Sequence, residues 1–171
     1  MTKFTLKTIL SDEDLALLCT KSEPVPFVVL GSDGALCLDS ATMELIAALK
    51  QFVTDNNGLG MSAVQLGVLK RIFVMRRNSG ELVTIINPRE VEIKTIGMSS
   101  QESCFSVPTP PGVSVIVSRG GDVTAEYDTE TGQHMTDKFV GQEARVFQHE
   151  LDHLEGELII SQGKFQGWRQ E

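Results

Sequence analysis

Gln148-His149-Glu150-Leu151-Asp152-His153 is the stretch on which the reading of this chain turns. On a helix, residues four apart lie about 40° apart around the axis and one turn apart along it. His149 and His153 so placed can bind one metal ion, with Glu150 between them close enough to act on its bound water. The helix that carries them is expected to start after Gly141 and stop near Gly156. Around it, Ala144, Phe147, Leu151 and Leu154 form one stripe, the expected core face. His149 and His153 fall nearly opposite, beside Val146, with polar Gln148, Asp152 and Glu155 between. One face should therefore pack while the other floors a cleft. Histidines that merely face solvent would give the same short motif, so the rest of the chain has to decide.

A catalytic site of the zinc type needs three protein ligands and an open position. No His follows His153, and Glu155 and Glu157 follow too closely to wrap back. Upstream, Cys104 in Gln101-Glu102-Ser103-Cys104-Phe105-Ser106 is a candidate, because a thiolate binds soft or borderline divalent metals well. Cys19 and Cys37 sit among leucines and read as small buried hydrophobes. A third segment, Gly58-Leu59-Gly60-Met61-Ser62-Ala63-Val64-Gln65-Leu66-Gly67, has glycines that let backbone approach a ligand or another strand. Gln65 there offers an amide able to donate to a developing oxyanion. The same run also suits a plain helix-to-strand turn.

Working outward, Ser11-Asp12-Glu13-Asp14 starts a short helix ending near Thr20. Phe27–Leu30 and Ala35–Leu38 suggest a hairpin about Ser32-Asp33-Gly34. Asp39 or Ser40 caps a helix running to about Asn56, with Met43, Ile46, Ala47 and Val53 at helical spacing and Gly58 as its stop. Arg71–Met75 and Leu82–Asn87 flank the turn Asn78-Ser79-Gly80. Val91–Ile96, Val113–Ser118, Val123–Tyr127 and Met135–Val140 read as further strands, and Ser99–Gly112 as a Ser- and Pro-rich loop. Consecutive strands with helices before and after them point to an α+β fold.

The 171 residues suit one domain spanning 1–171, with a short tail over 157–171. Hydrophobic residues at 41% and charged residues at 22% describe a globular chain rather than a disordered one. A net charge of −8 disfavours non-specific binding to nucleic acid or anionic membrane. No apolar run approaches the roughly 20 residues of a membrane span, and Met1–Lys7 lacks a signal core, so a cytoplasmic or otherwise internal protein, an organellar one included, is expected. Three cysteines do not suggest a disulfide framework.

Taken together and in this order, the Gly58–Gln65 segment, Glu102-Ser103-Cys104-Phe105-Ser106 and Gln148–His153 resemble the peptide deformylase family, whose motifs are G-φ-G-φ-[SA]-A-x-Q, E-G-C-x-S and Q-H-E-x-D-H. The resemblance implies antiparallel β-sheets packed around a central helix carrying the H-E-x-x-H motif. It implies one divalent metal on Cys104, His149 and His153, with Fe(II) the physiological ion and Zn, Ni or Co able to occupy the site. The implied reaction is removal of formate from N-formylmethionyl peptides. Metal-activated hydroxide attacks the formyl carbon, Glu150 serves as base and then acid, and Gln65 and the Phe105 backbone N–H hold the oxyanion. Substrate is expected along Leu59 and Gly60, near Gln142, Arg145 and Val146. Glu102, with Arg119 as its partner, and Asp152 are expected to support the ligands.

The departures are informative too. Ser103 replaces a usual Gly and Phe105 a usual Leu. Gln142 and Arg145 stand where the family places apolar residues, so Arg145 is expected to face substrate and favour polar or acidic residues after the methionine. The chain runs 18 residues beyond His153, where bacterial relatives often have a longer C-terminal helix through which they dock on the ribosome, so the ribosome is a partner the resemblance allows but the tail does not support. The rival readings are an H-E-x-x-H zinc endopeptidase and a non-catalytic peptide-binding relative.

Overall fold

The computed structural model describes residues 4–30, 34–95, 97–111 and 113–166. Among the described residues, four α-helices and ten strands form an α+β arrangement, with the strands mostly in one consecutive run between helices. Helix α1 (Asp12–Leu18) is capped by Ser11, whose hydroxyl accepts from the Asp14 N–H. Strands β1 (Val28–Leu30) and β2 (Ala35–Cys37) form a separate antiparallel hairpin. The turn expected at Ser32-Asp33 lies outside the described residues.

Helix α2 (Ser40–Asp55) is capped by Asp39, which accepts from the Thr42 N–H. Its buried stripe is Leu45, Ile46, Leu49 and Val53; Met43 and Ala47, expected inside, are exposed. All six are spaced so that more than one stripe fits, and the stripe richer in leucine faces the sheet. The chain leaves α2 through Asn57, in the left-handed region at φ 49°, rather than through the expected Gly58. That glycine serves a close approach instead: a Cβ there would stand 3.1 Å from the Phe105 ring.

Five strands form the main sheet in the order β3 (Gly60–Ser62), β4 (Ile72–Arg76), β5 (Leu82–Lys94), β8 (Asp122–Asp128) and β9 (His134–Val140), all neighbours antiparallel. Two separate strands were expected where β5 runs as one. It is bent by register shifts between Ile86 and Arg89 and between Glu90 and Glu92, the first around Asn87 at φ 51°. A second sheet orders β10 (Lys164–Gln166), β7 (Ser114–Arg119) and β6 (Met98–Glu102). Strand β6 occupies part of the expected Ser- and Pro-rich loop. Its Met-Ser-Ser-Gln-Glu sequence has little strand character, and pairing with β7 from Met98↔Arg119 to Glu102↔Val115 holds it extended. The tail, expected only to be short, holds two elements: α4 (Ile159–Gln162) leads into β10, which pairs with β7.

Helix α3 (Gln142–Glu155), bounded by Gly141 and by left-handed Gly156, lies between these layers. Phe147 is fully buried, edge-on to Phe73 at 5.4 Å and stacked on Phe139 at 4.9 Å. The expected division into one packing face and one cleft face is too simple. Gln148 is buried, and its amide bonds both backbone groups of Gly120, at 3.0 Å to the N–H and 2.9 Å to the carbonyl. Leu151 is only half-buried. A side chain that satisfies two backbone groups outside its own helix can be interior despite its polarity. Cys19, expected buried, is exposed at the end of α1, and Cys37 is half-buried. Among the described residues, no helix is long and apolar enough to cross a membrane.

Candidate metal centre

Helical stacking brings the His149 and His153 rings to 5.1 Å between centroids. Cys104, just past β6, is held in a short bridge with Val107, and its Sγ comes within 3.2 Å of His153 Nε2. One donor atom from each of Cys104, His149 and His153 lies within 4.8 Å of the others, a grouping that a single cation requires.

The tautomers follow from the surroundings. His149 Nδ1 is 2.9 Å from Glu102 Oε2, leaving its other ring nitrogen for a ligand bond. Burial alone would keep His149 neutral, but hydrogen bonds to Cys104 and Glu102 and the Glu150 charge outweigh it and raise its pKa to about 10. His153 goes the other way. Burial, with the His149 and Arg119 charges, drives it well below its ordinary value and keeps it neutral. One thiolate donor and two imidazoles, with His153 Nε2 facing the sulfur, fit a borderline divalent ion.

Glu102 is the buttress. Arg119 grips it with both arms, at 2.6 and 2.9 Å, and binds Asp152 with a third nitrogen at 2.7 Å. Burial pushes the Glu102 carboxyl up, yet the His149 and Arg119 hydrogen bonds prevail and hold it at about 2. Burial raises Asp152 in spite of Arg119. Gln148, by fixing Gly120, fixes the strand end from which Arg119 reaches in.

Glu150 is 3% exposed. Burial raises its pKa against the opposing pull of His149 and Ser62. The Ser62 hydroxyl donates to Glu150 Oε2 at 2.6 Å, and Oε1 faces Gly60, where a Cβ would come to 2.5 Å. Only glycine leaves room for the carboxylate in this position. Gln65 is buried, with its carbonyl oxygen accepting from the Ser62 N–H at 2.9 Å. That bond turns its NH₂ toward Cys104 Sγ (3.5 Å) and Ser106 Oγ (3.1 Å). Ser62, Ser106 and Gln148 were not singled out in the sequence. A hydroxyl between Met61 and Ala63 in an apolar run was the available signal for the first.

A cavity of about 610 Å³ opens beside this cluster. Leu59, Gly60, Gln65, Glu102, Phe105, Gln142, Arg145, Val146 and Glu150 all line it. Arg119 and Asp152 lie behind the ligands, outside that lining. The Phe105 ring packs edge-on against Phe52 at 5.2 Å. Among the described residues its backbone N–H makes no hydrogen bond. Strand β3 is the outer strand of its sheet, so one edge is open for pairing.

Comparison with known proteins agrees with this geometry. The polypeptide deformylase family profile matches residues 8–166. The chain is 38% identical over 123 residues to a peptide deformylase of Pseudothermotoga lettingae, covering 72% of this chain and 69% of that one. With the Thermotoga maritima enzyme it shares 38% over 104 residues, 61% of each chain. A crystal structure of a Thermotoga maritima peptide deformylase superposes with a TM-score of 0.78 at 26% identity, covering 95% of this chain and 98% of that one. An actinonin-bound class I type b peptide deformylase from Acinetobacter baumannii gives 0.75 at 25% identity, covering 93% and 97%. With the profile matching residues 8–166 of its 171, the chain belongs to the polypeptide deformylase family, metal-dependent hydrolases that remove the N-formyl group from new polypeptides.

Proposed function

We propose that this chain, acting as one catalytic domain in the cytoplasm, deformylates N-formylmethionyl peptides with a divalent ion, Fe(II) physiologically, held by Cys104, His149 and His153. The observation that carries the reading is the convergence of a distant thiol with the two stacked imidazoles, next to a buried Glu150 and a Gln65 amide. When bound, the ion supplies Lewis acidity to a water and to the formyl oxygen.

The chain's own groups do the rest. Glu150 takes the water's proton at Oε1, since Ser62 occupies Oε2, and delivers it to the leaving amine nitrogen. Its raised pKa brings a carboxyl nearer the operating pH, as a group that both takes and gives a proton needs. Gln65 Nε2 and the Phe105 N–H donate to the oxygen that gains charge; one such donor is worth about 3 kcal/mol. The open edge of β3 at Leu59 and Gly60 aligns the peptide backbone by strand addition. Arg119 and Asp152, outside the cavity lining, hold Glu102, and Glu102 fixes the His149 ring.

The test compares formyl-Met-Ala-Ser, acetyl-Met-Ala-Ser and an internally quenched peptide, each with and without chelator. Formate release from the first alone, abolished by chelator, is expected. Cleavage of the quenched peptide would favour an endopeptidase, and no turnover of any peptide by metal-loaded protein would favour a binding role.

A further inference from the structure

Along the open edge of β3 the site has a direction. Ser62 and Gly60 lie against Glu150, whereas Leu59 shares its cavity walls with Val146 and Gln142, so β3 and α3 run side by side in the same sense. A peptide whose formyl end is held at the metal cluster therefore leaves it past Gly60 and then Leu59, antiparallel to β3, toward the start of α3. The Arg76 N–H donates to the Leu59 carbonyl at 2.8 Å, which turns the backbone groups of the next residue, Gly60, to the open edge. The first peptide residue lies opposite Gly60. Its side chain takes the face on which Gly60 meets Glu150, the face of α3. The second side chain points to the other face, and the third returns to the α3 face about 6.8 Å further on. That step matches the roughly 6 Å along α3 from Val146 back to Gln142.

A second cavity of about 200 Å³ opens there. It shares Leu59, Gln142 and Val146 with the main cavity and is walled by Arg76, Arg77 and Asn78 at the end of β4. Two arginines and no acidic residue line it. Arg77 is already matched: Glu143 and Asp137 each approach it at 3.2 Å, and its guanidinium lies over the Phe139 ring. Arg76 is different. Arg71, Arg77, Arg89, Arg119 and Arg145 each have a carboxylate at ion-pair distance, whereas Arg76, among the described residues, has none. Its Nε and Nη1 donate to the Gly58 and Gly80 carbonyls at 3.3 and 3.0 Å. Those bonds fix the half-buried guanidinium and leave Nη2 without a hydrogen bond among the described residues. The carboxylates of the metal end are elsewhere. Glu102 and Glu150 line only the main cavity, and Glu90 and Asp152 line neither. Glu150 is about 12 Å along α3 from Gln142. Arg119 and Arg145 both turn to Glu102, and the ion would sit with His149 at that same end. The charge a ligand meets in the second cavity is therefore that of Arg76.

Resting on the deformylase reading, we propose that this second cavity is a subsite for the third residue of the formylmethionyl peptide and selects an acidic side chain there, with Arg76 as the specificity-determining residue. A glutamate carboxylate accepts from Nη2, a charge-assisted bond to a donor already held in place. Leu59 and Val146 pack its stem, and the exposed amides of Asn78 and Gln142 stand at the rim. The stretch that takes the methionine is not involved.

The experiment measures kcat/KM for formate release from formyl-Met-Ala-X-Ala-amide, with X as glutamate, glutamine or lysine, and from formyl-Met-Glu-Ala-Ala-amide and its glutamine counterpart. The amide ends make the side chain the sole carboxylate. Parent, Arg76→Gln and Arg76→Lys are compared, with calorimetric affinity of the zinc-loaded proteins for the deformylated peptides alongside. At the third position the parent is expected to favour glutamate over glutamine about threefold to fivefold, and lysine least. That ratio should shrink as salt rises from about 0.05 to 0.5 M. Arg76→Gln should bring it to near one, and Arg76→Lys should retain part of it. The salt series on the parent serves if neither variant folds. Glutamine equal to or better than glutamate in the parent, a ratio indifferent to salt or to Arg76→Gln, or a preference at the second position instead of the third would each overturn the proposal. If no peptide releases formate yet binding separates glutamate from glutamine through Arg76, the deformylase reading fails and the subsite stands. Formate release at one rate from every peptide leaves that reading intact and removes the subsite.

Discussion

Replacing Gly60 with alanine tests the placement of Glu150 by a single methyl group. The added Cβ would lie 2.5 Å from Glu150 Oε1, 2.9 Å from its Cγ and 3.0 Å from its Cδ. Ordinary contact begins near 3.4 Å, so the carboxylate must retreat by about 0.9 Å. It cannot swing freely, because Ser62 holds Oε2 and the side chain is buried. Gly60 is not in the left-handed region, so alanine brings no backbone strain of its own. A misplacement of about 1 Å in a reacting group costs on the order of 10²-fold, or about 2.7 kcal/mol of transition-state stabilisation. We expect kcat/KM for formyl-Met-Ala-Ser to fall about 100-fold in Gly60→Ala, with metal content unchanged because no ligand atom is touched. Formate-release kinetics, elemental analysis and a melting curve on the same preparation read all three quantities. Activity within threefold of the parent would refute the claim that Gly60 exists to seat Glu150.

Other perturbations separate support from chemistry. Glu102→Gln leaves the buried Arg119 without its two-armed partner and His149 without its carboxylate; metal affinity should fall about 10- to 100-fold and the melting temperature by about 10 °C, for a buried pair worth roughly 3–5 kcal/mol when broken. Unchanged chelator sensitivity would contradict it. Phe147→Ala should cost about 3–5 kcal/mol in urea unfolding, since its ring is fully buried between Phe73 and Phe139; under 1 kcal/mol would mean the layers pack otherwise. Glu130 supplies a pH test away from the site. Burial raises its carboxyl, but Lys50 and the Thr84 hydroxyl (2.5 Å) outweigh that and hold it below its ordinary 4.5. A depressed carboxylate stabilises the fold above its unfolded pKa and loses that contribution as pH falls through the folded one. The parent should therefore be more stable than Glu130→Gln at pH 7, with the gap closing below about pH 4.5; a gap that widens on acidification would be inconsistent.

Much of this site was legible because its chemistry is written in local spacing. The four-residue interval of His149 and His153, the glycines flanking α3 and the Gly58-Leu59-Gly60 run each state a geometric need within a few residues. The cysteine could be joined to them only through the order of three motifs. What was not legible depends on partners far away in the chain. Gln148 looks like a surface residue until Gly120 is brought against it. Strand β6 has a loop's composition and is a strand because β7 pairs with it. The stripe of α2 was misassigned at Met43 and Ala47 because a leucine-rich helix offers several apolar faces, and the sheet chooses one. Ser62 acts through Glu150, 88 residues later.

The central claim is that a sulfur and two imidazoles share one cation, and cobalt reports on it directly. Metal-free protein titrated with Co(II) should develop a thiolate-to-cobalt charge-transfer absorption that saturates at one equivalent per chain. The absorption should vanish in a folded Cys104→Ser variant and weaken with either histidine replaced. An absorption that persists without Cys104, or a titration with no endpoint at one equivalent, would contradict the account.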